Sequence, residues 1–177
     1  MKTLNLFLLM SIYSLPMVSC EDEPVEIGIE HSDTPKNVGD IYFDPKLDDI
    51  QFQICNEDNI LQYYNFYESL NYEGEKYALD EQIYAQFKER KRVKNESGYI
   101  TIRFIVNCHG ETGRFRTTQM DQNYELKKFD KSIVEQLESI TKSLQGWLPG
   151  KGEDTNLDYY QYITYKIDSG KITDILP

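Results

Sequence analysis

Three cysteines and two histidines carry the soft-ligand and near-neutral acid–base chemistry of this 177-residue chain. Cys108 directly precedes His109, a pairing that invites a thiolate nucleophile with its base. Neighbours on an extended chain point to opposite faces, whereas nucleophile and base must meet. No catalytic residue is therefore assigned, and the chain reads as non-enzymatic. A zinc site drawn from Cys55, Cys108, His109 and His31 lacks paired ligand spacing. It would also need the acidic N-terminal region to fold in, so neither a metal nor another cofactor is expected. No glycine-rich phosphate-binding motif is present. The one basic run is Lys88, Arg90, Lys91, Arg92 and Lys94. Placed at the end of a helix, these cations are accounted for by the helix dipole. A net charge of −11 argues against nucleic acid and anionic head groups as partners.

Cys20 has a different context. Lys2 is followed by a short apolar run through Leu4, Phe7, Leu8, Leu9 and Ile12, which Ser11, Ser14 and Pro16 interrupt. One positive charge, a short apolar stretch and a small residue before a cut are the parts of a secretory signal peptide. The run is too short for a membrane span, which needs about 20 apolar residues. Met17-Val18-Ser19-Cys20 resembles a lipobox, the site where bacterial lipoproteins are acylated and cleaved. The resemblance implies export, removal of residues 1–19 and lipid on Cys20. Several acyl chains on one residue, at about 0.8 kcal/mol per buried methylene, hold a protein on a membrane.

Removing residues 1–19 takes away one base, Lys2, leaving 18 bases against 30 acids, a net charge of −12. Twelve of those acids lie in residues 21–58, against Lys36 and Lys46 alone. So uneven a charge, with few aromatics, predicts an extended, self-repelling tether over residues 20–49. An acidic run after the lipidated cysteine also resembles the surface-export signal of Bacteroidota lipoproteins. The expected location is the outer membrane, facing the periplasm or the cell surface. Residues 50–177 are long enough for one domain.

The elements of that domain are clearest toward its end. Gly98 to Asn107 alternates Ile100, Ile102, Phe104 and Val106 with Tyr99, Thr101 and Arg103, which predicts a strand. Asn107-Cys108-His109-Gly110 makes a turn, and Arg114 to Thr118 returns as a second strand. Leu126, Phe129, Ile133, Leu137, Ile140 and Leu144 recur at steps of three and four, which predicts an amphipathic helix. Tyr159–Ile167 and Ile172–Leu176 form a final hairpin. The fold class is α+β, a small antiparallel sheet in β-β-α-β-β order packed on one main helix. Upstream, Leu79, Ile83 and Phe87 suggest a helix over 78–91, and Ile50, Phe52 and Ile54 a short strand. Tyr63, Tyr64, Phe66, Tyr67 and Tyr72 form an aromatic cluster, read either as core packing or as a glycan- or partner-binding surface.

A glycine-led strand with Phe104 and Val106, the Gly110 turn, the amphipathic helix and Trp147-Leu148-Pro149-Gly150 lead into a tyrosine-rich strand with Tyr159, Tyr160, Tyr162 and Tyr165. Over residues 78–177 this succession resembles the TonB C-terminal domain. The resemblance implies a non-catalytic envelope module that binds an extended segment of an outer-membrane protein by adding a strand to its sheet. Two features of that family are missing: an uncleaved N-terminal helix to engage an inner-membrane motor, and a long proline-rich rod. Protein binding is therefore expected to carry over, and force transmission not.

Two expectations about specific residues follow. In an oxidising compartment Cys55 and Cys108 are the pair left once Cys20 is lipidated, so a disulfide between them is expected. The terminal hairpin ends the chain, and an unpaired strand edge offers a row of donors and acceptors. Tyr160, Tyr162, Ile172 and Thr173 are accordingly the expected partner-binding residues, with the Ile50–Ile54 segment the alternative occupant of that edge. The competing reading is a lipid-anchored surface protein that binds a soluble ligand or glycan through its tyrosine-rich region.

Overall fold

The computed structural model describes residues 39–62, 70–90 and 93–177, all of them within a unit that spans Thr34–Pro177. Period-two alternation produces its central strands. In chain order the elements are β1 (Leu61–Gln62), α1 (Glu75–Gln86), β2 (Gly98–Val106), β3 (Thr112–Met120), α2 (Lys131–Ser143), β4 (Gly150–Lys151), β5 (Asn156–Leu157), β6 (Tyr159–Asp168) and β7 (Lys171–Leu176). The fold is thus α+β, with a sheet-rich core and, among the described residues, two helices. β6 lies beside β2, with Ile102 opposite Ile163 and Val106 opposite Tyr159, and β3 flanks β2 on its other side. The far side of β6 takes β7 antiparallel and β1 parallel. The sheet is therefore mixed, not purely antiparallel.

One sheet face meets the helices. Ile100, Ile102, Phe104, Val106, Ile163 and Tyr165 are wholly buried there with Leu79, Ile83 and Leu137. Burying side chains of this size contributes about 1.5–3 kcal/mol each. Phe104 stacks on Phe115 and meets Trp147 edge-on, and Trp147 meets Tyr72 edge-on at 4.8 Å between centroids. The chain before α1 is zipped to the chain after α2: Glu73 N–H donates to Gly146 and Leu148 N–H to Asn71. Trp147 and Tyr72 are thus core residues that join the two helical segments.

Several boundaries differ from the sequence pattern, each for a local reason. α2 begins at Lys131 because the Asp130 carboxylate accepts the Ser132 N–H at 2.9 Å and caps it. Leu126 lies before that cap, bridged to Met120 and 83% exposed. α1 spans Glu75–Gln86 and stops where Phe87 turns extended, short of the expected end at residue 91. No strand forms at Ile50–Ile54; Ile50 is exposed, while Phe52 and Ile54 pack on Ile41, Ile105 and Tyr160.

The largest difference concerns the expected tether. Residues 39–60 run across the sheet face opposite the helices as a strap, with Ile41 buried against Ile105 and Tyr160. Residues 39–49, assigned to the tether by their acidity, therefore belong to the folded unit.

Candidate functional site

Cys55 and Cys108 are joined by a disulfide, with Cα atoms 6.1 Å apart. Cys55, Cys108 and His109 bring their ligand atoms within 4.8 Å of one another. With both sulfurs bonded to each other, the exposed imidazole is the remaining donor of that trio. The bridge ties the strap to the β2–β3 turn. Beneath it sits Asp158, 1% exposed. Its carboxylate accepts N–H groups from Cys55 at 3.2 Å, Asn56 at 2.7 Å and Cys108 at 2.9 Å.

Three arginines on the strap side hold the rest of that segment. Arg116 makes a two-pronged pair with Asp48, both contacts at 2.7 Å, and donates to the Tyr42 carbonyl. Arg114, in a left-handed conformation beside a bulge in β2–β3, pairs with Glu57 and lies over the Phe43 ring. Arg103 donates to the Gly39 carbonyl, and burial lowers its basicity. The Arg116 guanidinium holds the Asp48 carboxyl below the usual carboxylate range. A lowered folded-state value means that this pairing stabilises the strap above the ordinary aspartate value of about 3.9. The contribution is lost as pH falls through the folded value. Asp48→Asn should therefore weaken the strap by roughly 1.5–3 kcal/mol at pH 7, with the difference from the parent shrinking below about pH 4. Urea unfolding at both pH values checks this, and an equal difference at each would refute the assignment.

The expected partner-binding residues scatter. Tyr160 is 7% exposed beneath the strap, in a strand with a neighbour on each side. It therefore cannot anchor a partner while the strap is closed. Tyr162 shares its face and is 36% exposed. Ile172 packs on the core, and Thr173 is exposed next to a register shift, its hydroxyl donating to the Lys166 carbonyl. The β7 edge itself is guarded. The Ile175 carbonyl accepts from Lys76 Nζ at 2.5 Å, and its N–H donates to the Asp174 carboxylate. A bulge, a short strand and a lysine are the usual devices that blunt an edge.

Among the described residues the opposite edge, β3, is open before its bridged end at Met120. The Gln119 carbonyl accepts from Lys127 N–H at 3.0 Å, so the Gln119 backbone faces away from β2. Register is unbroken from Ile100–Gln119 to Arg103–Arg116. Alternation therefore turns the Thr117 backbone outward too. Among the described residues no strand pairs with β3 on that side beyond the Met120–Leu126 bridge. A groove of about 450 Å³ lined by Thr117, Thr118, Gln119, Leu126, Lys127 and Lys128 borders the edge at one end. A second, of about 760 Å³, runs beside Thr112–Phe115 between the strap and Lys142. Sequence alternation identifies these strands but does not say which of them lies outermost.

Cys20, His31, Tyr63, Tyr64, Phe66 and Tyr67 lie outside the described residues, and with them the expected lipidation site and most of the aromatic cluster. Among the described residues no helix is long and apolar enough to cross a membrane. The chain matches no protein-family model, no curated protein and no solved structure.

Proposed function

We propose that this chain is a non-catalytic protein-binding module of the bacterial cell envelope, held by lipid on Cys20 at the outer membrane. It takes an extended segment of a partner, such as an outer-membrane transport or secretion protein, as an added strand. The open outer edge of β3 is the observation that carries the reading. Main-chain bonds there would supply affinity, and the flanking grooves would sort alternate side chains. The resemblance of residues 78–177 to the TonB C-terminal domain supports the same mode.

A photo-reactive side chain at Thr117 of the full-length protein should crosslink to an envelope protein in cells. Thr117→Pro should weaken that capture at least tenfold, which corresponds to about 1.4 kcal/mol. Proline removes an outward donor, so the pairing with β2 is kept. Crosslinks that form from Thr173 and not from Thr117 would move the site to β7. The anchor has its own test. Mass spectrometry of the mature N-terminus should find acylated Cys20, and Cys20→Ser should leave an uncleaved or mis-sorted precursor. A free N-terminus downstream of Cys20 refutes the anchor.

A second reading has its own observation. Tyr99 and Tyr124 stack with centroids 5.0 Å apart, and Tyr124 is 68% exposed. Such a surface suits a sugar ring, and loss of glycan-array binding in Tyr124→Ala would favour it.

A further inference from the structure

Residues 88–94 read Lys-Glu-Arg-Lys-Arg-Val-Lys, five cations in seven positions of a chain whose net charge is −11. A helix C-terminus would explain them, but the structure withdraws that explanation. α1 ends at Gln86 with no basic residue in its last turn, and Phe87 is already extended. On either side of residues 91 and 92, which lie outside the described residues, the chain is held in place. Gln136 holds Lys88 by a reciprocal pair of hydrogen bonds to its N–H and carbonyl, both at 3.1 Å. Val93 is 2% exposed and anchors the other end in the core.

The β6–β7 turn closes on residues 93–97. Gly170 N–H donates to the Glu96 carbonyl, and Ser169 N–H to Ser97 Oγ. Gly170 has φ +75° and lies so near the Val93 carbonyl that a Cβ would sit 2.4 Å from it. Glycine is required by both the conformation and the approach. The closure brings Lys171 to Arg90 and Lys94 around a cleft of about 540 Å³, lined further by Glu89, Ser169 and Gly170. Three cations against one acid leave the lining at +2. Lys171 pairs with Glu89 at 3.1 Å. Arg90 and Lys94 have no ion pair among the described residues, so no salt bridge found there accounts for them.

We infer that this cleft binds a phosphate-type dianion, carried on a small molecule or on a lipid head group. An arginine fork beside lysines matches tetrahedral oxyanions in charge and in donor geometry. A bound dianion also relieves the mutual repulsion of the gathered cations. The site lies apart from the β3 edge and does not depend on the strand-addition reading. The acidic remainder of the chain repels extended polyanions, which favours a compact group that enters the cleft.

Titrating inorganic phosphate into the full mature chain should shift the amide resonances of Lys94, Ser169, Gly170 and Lys171 in a saturable manner. R90E with K94E should weaken this at least tenfold, while R90K with K94R should retain it. Both side chains are exposed, so a dispersed amide spectrum will verify that each variant is folded. Flotation of the unacylated chain with vesicles containing phosphatidic acid, whose phosphomonoester carries the second charge, against vesicles of phosphatidylcholine alone, separates the sources. Phosphate shifts without vesicle binding identify a free phosphate ester. Vesicle binding that is lost on charge reversal identifies a head group. Shifts that are absent, that lie elsewhere, or that persist in R90E with K94E overturn the inference.

Discussion

Asp158→Ala should cost roughly 3–5 kcal/mol of folding stability, more than Asp48→Asn on the strap. One buried carboxylate collects amides from two chain segments, Cys55 and Asn56 of the strap and Cys108 of the β2–β3 turn. Its own carbonyl accepts from Leu61 N–H at 2.9 Å, where β1 begins. Alanine would leave three amides without their acceptor, at about 1–3 kcal/mol for each that stays buried. Water entering the loosened strap recovers part of that sum. Asp158→Asn should be milder, since one oxygen survives while the amide nitrogen confronts a donor. Urea unfolding of the oxidised protein measures both. A loss below about 0.5 kcal/mol for alanine, the range of ordinary surface changes, would show that the carboxylate is not the anchor described.

Asp158 also shows where sequence reading stops. It follows a polar loop and precedes a strand that alternation identifies, yet nothing in its neighbours announces three amides arriving from residues 55, 56 and 108. Alternation exposes what is periodic. β2 runs Gly98–Val106, as its pattern of isoleucines requires, because one face packs against the helices. The strap's one alternating stretch, Ile50, Phe52 and Ile54, forms no strand. Ile41 sits among the acids of residues 20–49 that read as a solvated tether, and Ile60 reaches the sheet outside any pattern. The strap's anchors are equally cryptic, since Arg103 and Arg116 occupy positions that alternation assigns to solvent. The legible signal was charge complementarity: 12 acids within residues 21–58 and arginines on the outer face of β2 and β3. Edge status was illegible for a different reason. Which strand lies outermost depends on pairings between residues far apart in the chain, such as Val106 with Tyr159.

Breaking the disulfide should have an effect of similar size, and the two losses should not add. Cys55 and Cys108 are 53 residues apart, and closing a loop of that length removes about 4 kcal/mol of unfolded-chain entropy in the chain-entropy model. Cys55→Ser with Cys108→Ser should lower the urea midpoint by a corresponding amount. Hydrogen exchange should accelerate first in residues 39–60, because the helix-side core does not depend on the bridge. Strap opening would also uncover Tyr160 and Ile105, which the closed strap buries. The bridge and Asp158 hold the same closure, Cys55 against Cys108. Once either is gone, the strap end is partly free, and the other has less left to hold. A double-mutant cycle that combines Asp158→Ala with the serine pair should therefore show a coupling of about 1–3 kcal/mol, toward a combined loss smaller than the sum. Additivity within about 0.5 kcal/mol would mean that the carboxylate and the disulfide act on separate parts of the fold.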